Sequence, residues 1–152
     1  MMSEQPTIAI ASKAPHPVPD EHSAPYWAAL VERRILLQTC SACSKHRFPR
    51  MPACPFCGTA GGDDVEVAGT GTVYSFVRPN RALTPAYAEI APYAVASVDL
   101  DGGGRIFGRV VPAGSCAIGL RVTPAFADHP AVAPGDGTAW TELVFVAETA
   151  SA

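Results

Sequence analysis

CSACSKHRFPRMPACPFCG, residues 40–58, contains two Cys-x-x-Cys pairs that are separated by ten residues. The two thiolates of one pair can point into the same concave turn, and two such turns complete a tetrahedron. This donor set suits Zn²⁺, which binds four thiolates at about 2.3 Å in structural sites. We expect one tetrahedral metal ion in this segment, zinc rather than iron, bound by Cys40, Cys43, Cys54 and Cys57.

The residues around the second pair favour a tight metal-binding turn. Pro55 lies inside this turn and Gly58 follows it, where glycine tolerates the positive φ that closes the turn. The spacing between the pairs leaves room for a small hairpin through residues 45–50. The alternatives are two disulfides or four unrelated thiols. The fifth cysteine, Cys116, stands alone and is expected to be a small buried hydrophobic residue.

The compartment bears on the choice between metal and disulfides. Residues 1–19 lack the basic start and apolar stretch of a secretory signal, and no apolar run approaches the ~20 residues of a membrane helix. We therefore expect a cytoplasmic protein, in which thiols stay reduced and paired cysteines hold metal. This expectation favours zinc over disulfides.

Charge argues against a nucleic-acid partner, although zinc knuckles are common in nucleic-acid-binding proteins. The chain has 152 residues, with 11 basic against 14 acidic side chains and a net charge of −3. Binding to a phosphate backbone normally requires a basic excess. Only a local basic patch would support that function.

Four segments follow one another along the chain. We predict a flexible arm over residues 1–19, a helical segment over 20–37, a zinc ribbon over 38–62 and a barrel over 63–148. The arm is rich in Ala, Pro and Ser, and it offers too little apolar surface to offset its ordering entropy. In the helical segment, Ser23 is expected to cap the helix and Pro25 to lie in its first turn. Apolar residues then recur at helical spacing, among them Tyr26 and Trp27.

The ribbon is predicted to contain a short hairpin. Residues 35–38 form the entering strand, and Phe48 and Pro49 lie on the return strand. Four nearby side chains are basic or imidazole groups, namely Lys45, His46, Arg47 and Arg50. They are expected either to offset the negative charge of the thiolate centre or to contact an anionic ligand or partner. Because four cysteines fill the tetrahedron, His46 is not expected to be a ligand.

The remainder of the chain is predicted to be all β. Strand patterns occupy residues 71–77, 93–99, 105–111, 120–127 and 140–147, and Asp101 to Gly104 indicate a tight hairpin. Five such strands favour a small closed barrel of the OB type, with a small sandwich as the alternative. The loop from Arg78 to Pro92 is long enough to be functional. The expected fold class is mainly β.

The order of several short motifs resembles the zinc-ribbon/OB-fold family of acyl-CoA-associated proteins. The resemblance covers the chain from about Pro25 to the last strand. The motifs are Pro25-Tyr26-Trp27, Leu36-Leu37-Gln38 before Cys40 and Cys43, Phe48-Pro49-Arg50, Cys54-Pro55 with Cys57-Gly58, Gly69 with Gly71-Thr72-Val73-Tyr74-Ser75-Phe76, and Pro92-Tyr93 with Val95-Ala96.

This resemblance implies an N-terminal helical segment, a rubredoxin-like zinc ribbon and a five-stranded OB barrel. Family members typically act as small non-catalytic subunits beside thiolase-like enzymes, in acyl transfer, thiolysis or aldol-type reactions on CoA thioesters. In an archaeal assembly of this kind, such a subunit helps to form the CoA-binding passage. The resemblance thus implies a thiolase-fold partner and acyl-CoA or CoA as ligand.

The residues themselves agree that the chain does not catalyse alone. We find no G-x-S-x-G elbow, phosphate-binding glycine loop or H-E-x-x-H motif. Two other classes stay open beside a CoA-handling subunit. One is a different interaction or ligand-binding module, and the other is a nucleic-acid-binding zinc-ribbon/OB module.

Two sets of residues are candidates for contacts outside the chain. Arg78 and Arg81 open the long loop, and Tyr74 and Phe76 precede them on a strand, so phosphates and an apolar arm of CoA could bind there. The predicted partner interface consists of Tyr26, Trp27 and Phe48, because aromatic residues are enriched at interface hot spots. Packing within the chain is the alternative role of these three aromatics.

Overall fold

The structure is a computed structural model that describes residues 7–131 and 137–148. It confirms the mainly β class, with one α-helix and eight strands. The helix is α1 (Ala24–Val31). The strands are β1 (Ile35–Thr39), β2 (His46–Arg47), β3 (Asp63–Val67), β4 (Gly71–Val77), β5 (Ala94–Leu100), β6 (Arg105–Val111), β7 (Arg121–His129) and β8 (Trp140–Ala147).

Helix α1 starts at the predicted place, but its first turn is capped differently. Pro25 lies in that turn as expected, whereas the Ser23 side chain caps no helix N–H, so that prediction is wrong. Ser23 Oγ instead donates to Asp20 Oδ1 at 2.6 Å, and Asp20 Oδ1 also accepts from the Ser23 backbone N–H at 2.7 Å. Ser23 Oγ also accepts from the Asp20 backbone N–H at 3.0 Å, and the Ser23 backbone is helical rather than extended, which is not the conformation from which a side chain caps a helix. No helix in the described ranges is long and apolar enough to cross a membrane.

The ribbon contains a three-stranded antiparallel sheet in the order β2-β1-β3. Strand β2 is only two residues long, so Phe48 and Pro49 lie beyond it rather than on the predicted return strand. Pro49 has no N–H to donate to a ladder, which explains the early end. Strand β3 pairs with β1 from Ile35↔Val67 to Thr39↔Asp63. Strand β3 therefore belongs to the ribbon sheet, and the first barrel strand begins at Gly71, as the strand pattern predicts.

The remaining five strands form a closed barrel in the order β4-β5-β6-β8-β7, and β7 pairs back to β4. All neighbours are antiparallel except β6 and β8. This closure confirms the five-stranded OB barrel and excludes the sandwich. Strands β4, β6 and β8 have the predicted bounds, and β5 and β7 are displaced by one or two residues.

One hydrophobic core joins the helix, the ribbon sheet and the barrel. Inward-facing residues of the barrel such as Val98, Ile106 and Phe145 are fully buried, and Leu30 of α1 and Leu37 of β1 belong to the same cluster. The core leaves no room for a side chain at position 108. A Cβ atom on Gly108 would lie 2.6 Å from Phe145 Cε2.

The described part of the predicted arm, residues 7–19, lies against the outer wall of the barrel. Ile8 and Ile10 pack on a small cluster around Val144, and Ala11 and Ala14 are buried. The alternating apolar residues at the start of this segment give it this packing. Flexibility of the arm in solution stays a prediction, and residues 1–6 of the predicted arm lie outside the described residues.

We expect Gly108→Ala to destabilise the barrel by about 1–3 kcal/mol, because the added methyl group must displace the Phe145 ring. Gly114→Ala is the matched control, since a Cβ atom there meets nothing within 4 Å. Denaturant unfolding measures both variants. Equal stability of the two would contradict the packing described for Gly108.

Candidate zinc centre and the neighbouring surfaces

The four paired cysteines converge on one point in the ribbon. All four Sγ atoms lie within 4.8 Å of one another. The Sγ atoms of Cys40 and Cys57 are 3.6 Å apart, as are those of Cys43 and Cys54. A tetrahedron with Zn–S bonds of about 2.3 Å has S···S edges of about 3.8 Å, whereas a disulfide bond measures about 2.05 Å. All five cysteines are free thiols, so the structure excludes the disulfide alternative.

The two turns that carry these cysteines have the same backbone design. The Cys40 carbonyl accepts from Ser44 N–H at 3.0 Å, and the Cys54 carbonyl accepts from Gly58 N–H at 2.9 Å. Ser44 and Gly58 both have positive φ, 59° and 78°. The predicted positive φ at Gly58 is thus confirmed, and Ser44 adopts the same conformation without the freedom of glycine.

Local hydrogen bonds favour the thiolate form at two of the four cysteines, Cys40 and Cys57, whereas burial and the neighbouring thiols raise the pKa of Cys43 to about 11. The backbone N–H groups of Cys43 and Ala42 point at Cys40 Sγ, at 3.5 and 3.4 Å, and they lower the pKa of the Cys40 thiol to about 6. The Thr59 hydroxyl, 3.3 Å from Cys57 Sγ, lowers the pKa of Cys57. Metal binding releases thiol protons, so these contacts reduce the cost of binding. The residues present fit a structural zinc ion.

The predicted basic and imidazole side chains of the ribbon make different contacts. The Lys45 ammonium lies 4.6 Å from the centre of the Phe56 ring. Arg50 Nε lies 3.2 Å from an Asp64 carboxylate oxygen. His46 is outside the thiolate cluster, as expected, and its Nδ1 is 2.6 Å from the Thr39 hydroxyl.

Arg47 has a structural role that the sequence did not reveal. Its side chain is buried, with 4% of its surface exposed, and Nη2 donates to the Gly61 carbonyl and to the Met51 carbonyl at 3.3 Å. Residues 51 and 61 flank the second cysteine turn. Arg47 therefore ties both ends of that turn to strand β2.

Cys116 is buried in the main core and lies apart from the metal centre. Burial raises the pKa of its thiol, so it stays neutral. This confirms the expectation of a small buried hydrophobic residue.

The three predicted interface aromatics form one row within the chain. Tyr26 contacts Trp27 and Phe48, with ring centroids 5.2 and 5.0 Å apart. The row continues from Trp27 to Trp140 at 5.8 Å and from Phe48 to Phe107 at 6.4 Å. All three rings are half-buried against the core. Their role in binding a partner stays a prediction.

The predicted ligand residues occupy two separate environments. Tyr74 is the extra residue at a β-bulge, because Val73 pairs with Val98 and Ser75 with Ser97. The guanidinium of Arg105 lies 3.6 Å from the centre of the Tyr74 ring. This contact could not be predicted from the sequence, because the two residues lie on strands that are not adjacent in the sheet.

The other predicted ligand residues lie at the end of β4 and in the long loop. Arg78 lies 6.0 Å from the Phe76 ring centre, and its Nη1 is 3.4 Å from the Ala113 carbonyl. Arg78 and Arg81 are the two exposed arginines that make no ion pair with a described carboxylate. They are thus available to an anionic ligand.

Two family models match adjacent parts of the chain. The ChsH2 rubredoxin-like zinc ribbon domain matches residues 27–61, and the ChsH2 C-terminal OB-fold domain matches residues 64–127. The chain solved in the Ltp2-ChsH2(DUF35) aldolase is 33% identical over 87% of this chain and 98% of that chain, with a TM-score of 0.68. The chain belongs to the ChsH2/DUF35 zinc-ribbon and OB-fold family.

Curated ChsH2/DUF35 relatives include proteins of different length. A probable enoyl-CoA hydratase alpha subunit of Thermomonospora curvata is 39% identical over 64% of this chain, which spans only 30% of that relative. A DUF35 domain-containing scaffold protein of Methanothermobacter thermautotrophicus is 33% identical over 56% of this chain and 65% of its own length. A Sulfolobus solfataricus DUF35 structure, 14% identical over 84% of this chain and 86% of its own, shares the fold with a TM-score of 0.56.

We expect Cys54→Ser to lower zinc content from about one ion per chain to near zero, because a structural site needs all four thiolates. Metal binding supplies folding free energy in such modules, so the ribbon should unfold while the barrel stays folded. Elemental analysis and amide NMR spectra measure the two effects. Cys116→Ala is the control and should keep its zinc. Wild-type protein purified without chelator and found free of metal would contradict the assignment.

Proposed function

We propose that this protein is a non-catalytic accessory subunit that completes a complex with a thiolase-like enzyme acting on CoA thioesters. The observation that carries the proposal is the similarity to the chain in the Ltp2-ChsH2(DUF35) aldolase, which extends over 98% of that chain. The scaffold proteins among the relatives support an accessory role, and the hydratase alpha subunit supports a link to CoA thioesters.

The metal centre supports a structural rather than a catalytic role. Catalytic zinc keeps an open position for water or substrate, whereas four thiolates complete a tetrahedron. The four Sγ atoms lie close enough together to fill all positions of one ion. Zinc would therefore order the ribbon and leave the chemistry to the partner enzyme.

We further propose that acyl-CoA contacts the long loop after β4. Arg78 and Arg81 supply cations without carboxylate partners, and guanidinium groups bind phosphate in bidentate fashion. Arg81 lines a shallow depression together with Leu83, whose side chain is 86% exposed. Cation and apolar surface side by side match the phosphates and the pantetheine arm of CoA.

The distribution of charge disfavours the nucleic-acid alternative. Six arginines pair with carboxylates of the described chain, namely Arg33, Arg34, Arg50, Arg105, Arg109 and Arg121. A phosphate backbone needs a continuous surface of unpaired cations.

We propose a cytoplasmic location, where the ribbon thiols stay reduced.

Trp27→Ala is expected to abolish co-elution with the thiolase-like partner while the zinc content and the amide spectrum stay native. A truncated aromatic hot spot typically costs about 2 kcal/mol or more of binding free energy. Size-exclusion chromatography of the mixed chains measures the effect, with Tyr74→Ala as an exposed aromatic control. Unchanged co-elution would place the interface elsewhere, and loss of fold would assign Trp27 to the core.

The double variant Arg78→Ala/Arg81→Ala should weaken acyl-CoA binding to the assembled complex by about tenfold or more, because hydrogen bonds to charged groups are lost. Calorimetry with acetyl-CoA measures the affinity. Arg34→Ala, which removes an exposed arginine already paired with Glu32, should leave it unchanged. Equal affinity of wild type and double variant would show that the site lies elsewhere. Salt-sensitive retardation of a single-stranded oligonucleotide would instead favour the nucleic-acid alternative.

A further inference from the structure

A cavity of about 470 Å³ lies on the outer wall of the barrel, and its lining includes neither the zinc ligands nor Arg78 and Arg81. Side chains on β6 and β8 alternate between the two faces of the sheet. Val110 and Phe145 point into the core, whereas Arg109 and Glu142 line the cavity. Six aromatic side chains form much of its wall, namely Tyr26, Trp27, Tyr87, Tyr93, Phe107 and Trp140.

The cavity wall contains one buried polar network. Arg109 donates to Glu142 through Nε at 2.9 Å and through Nη2 at 3.1 Å. His129 Nε2 lies 2.9 Å from Glu142 Oε2, and its ring stacks on Trp140 at 3.9 Å between centroids. Arg109 and His129 are 9% and 5% exposed. These three side chains come from β6, β7 and β8, which are neighbours in the barrel.

This network favours a neutral ligand over a charged one. The Arg109 cation and the Glu142 anion compensate each other, so a charged ligand would lose its hydration without gaining a free counterion. The aromatic wall offers ring faces and edges against which a flat apolar molecule packs well. The cavity therefore fits a neutral aromatic ring.

The network also leaves one position for a hydrogen-bond donor. An ionised carboxylate accepts at about four lone-pair positions, and the three hydrogen bonds from Arg109 and His129 leave one on Glu142 Oε1. Glu142 and Tyr87 both line the cavity, so the carboxylate faces the space that a ligand would occupy. The indole N–H of Trp140 in the same wall is buried without a partner among the described residues. A hydroxyl group of a ligand can donate to the free position on Glu142 Oε1.

The N-terminal arm forms part of the cover of the cavity. Ala11 and Ala14 line it, and both are buried. Between them, Ser12 bonds to the Glu89 carboxylate on the long loop through its backbone N–H at 3.2 Å and its hydroxyl at 2.5 Å. The arm and the loop are thus joined directly, and both contribute residues to the lining of the cavity.

We infer that this cavity is a binding site for a neutral hydroxylated aromatic compound of the phenol or naphthol class, with its ring against the aromatic wall and its hydroxyl group on Glu142. The site is independent of the proposed acyl-CoA surface. The two sites share no residue, so failure of either test leaves the other unaffected, whereas Tyr26 and Trp27 belong both to the cavity and to the predicted partner interface.

The experiment is a titration of ¹⁵N-labelled full-length protein with 2-naphthol, followed by NMR. The chain has two tryptophans, Trp27 and Trp140, and both line the cavity, so both indole N–H signals report on it. We expect 2-naphthol to shift both signals and to bind about tenfold or more tightly than 2-naphthoate, its anionic analogue of similar shape. Unshifted indole signals, or equal binding of the two compounds, would overturn the inference.

Two variants locate the site. Ala14→Phe fills the cavity from the arm and should abolish binding of 2-naphthol, whereas Val18→Phe, at a 94% exposed position of the same arm, should not change it. Glu142→Gln keeps the side-chain shape but leaves Arg109 without its counterion. This variant should therefore bind 2-naphthoate at least as tightly as 2-naphthol. If Glu142→Gln still binds 2-naphthol more tightly than 2-naphthoate, the role assigned to the network is wrong. This outcome is informative even if Ala14→Phe does not fold.

Discussion

Four sulfur atoms hold together a part of the chain that has little hydrogen-bonded structure of its own. Strand β2 has two residues, and the second cysteine turn lies outside the named strands, closed by short-range backbone hydrogen bonds, an isolated bridge between Ala53 and Ala60 and the Arg47 side chain. Cys40 directly follows β1, the central strand of the ribbon sheet. The thiolate cluster therefore restrains the position of the end of β1. Because Leu37 of β1 packs in the shared core, the cluster also restrains the ribbon relative to that core. Zinc would therefore stabilise the two cysteine turns, while the barrel is closed by its own ladders.

Local patterns were sufficient where the structure is local. The Cys-x-x-Cys turns and strands β4, β6 and β8 were predictable because each depends on residues close in sequence. Strand β3 was missed because three of its five residues are acidic, so it shows no clear strand pattern. The cap at α1 was assigned to Ser23 because its position fits, but Asp20 three residues earlier binds that hydroxyl.

Contacts made by closure of the barrel could not be predicted. Arg109 contacts Glu142 only because β6 pairs in parallel with β8. The order of the strands along the sequence does not show that these two strands are neighbours. The same holds for the stacking of Arg105 on Tyr74 across the intervening strand β5. The candidate metal site was therefore visible in the sequence, whereas the aromatic cavity and its polar network depend on the register of the folded barrel.

The closed barrel also determines how other chains can pair with this protein through backbone hydrogen bonds. Each barrel strand has a neighbour on both sides, although β4 pairs with β7 over only two residues, whereas the ribbon sheet in the described chain has two outer strands, β2 and β3. Asp63, Asp64 and Glu66 make β3 an acidic edge, and charged edge strands resist uncontrolled pairing. A subunit built this way is protected against sheet-to-sheet aggregation while its side-chain surfaces stay available for specific contacts.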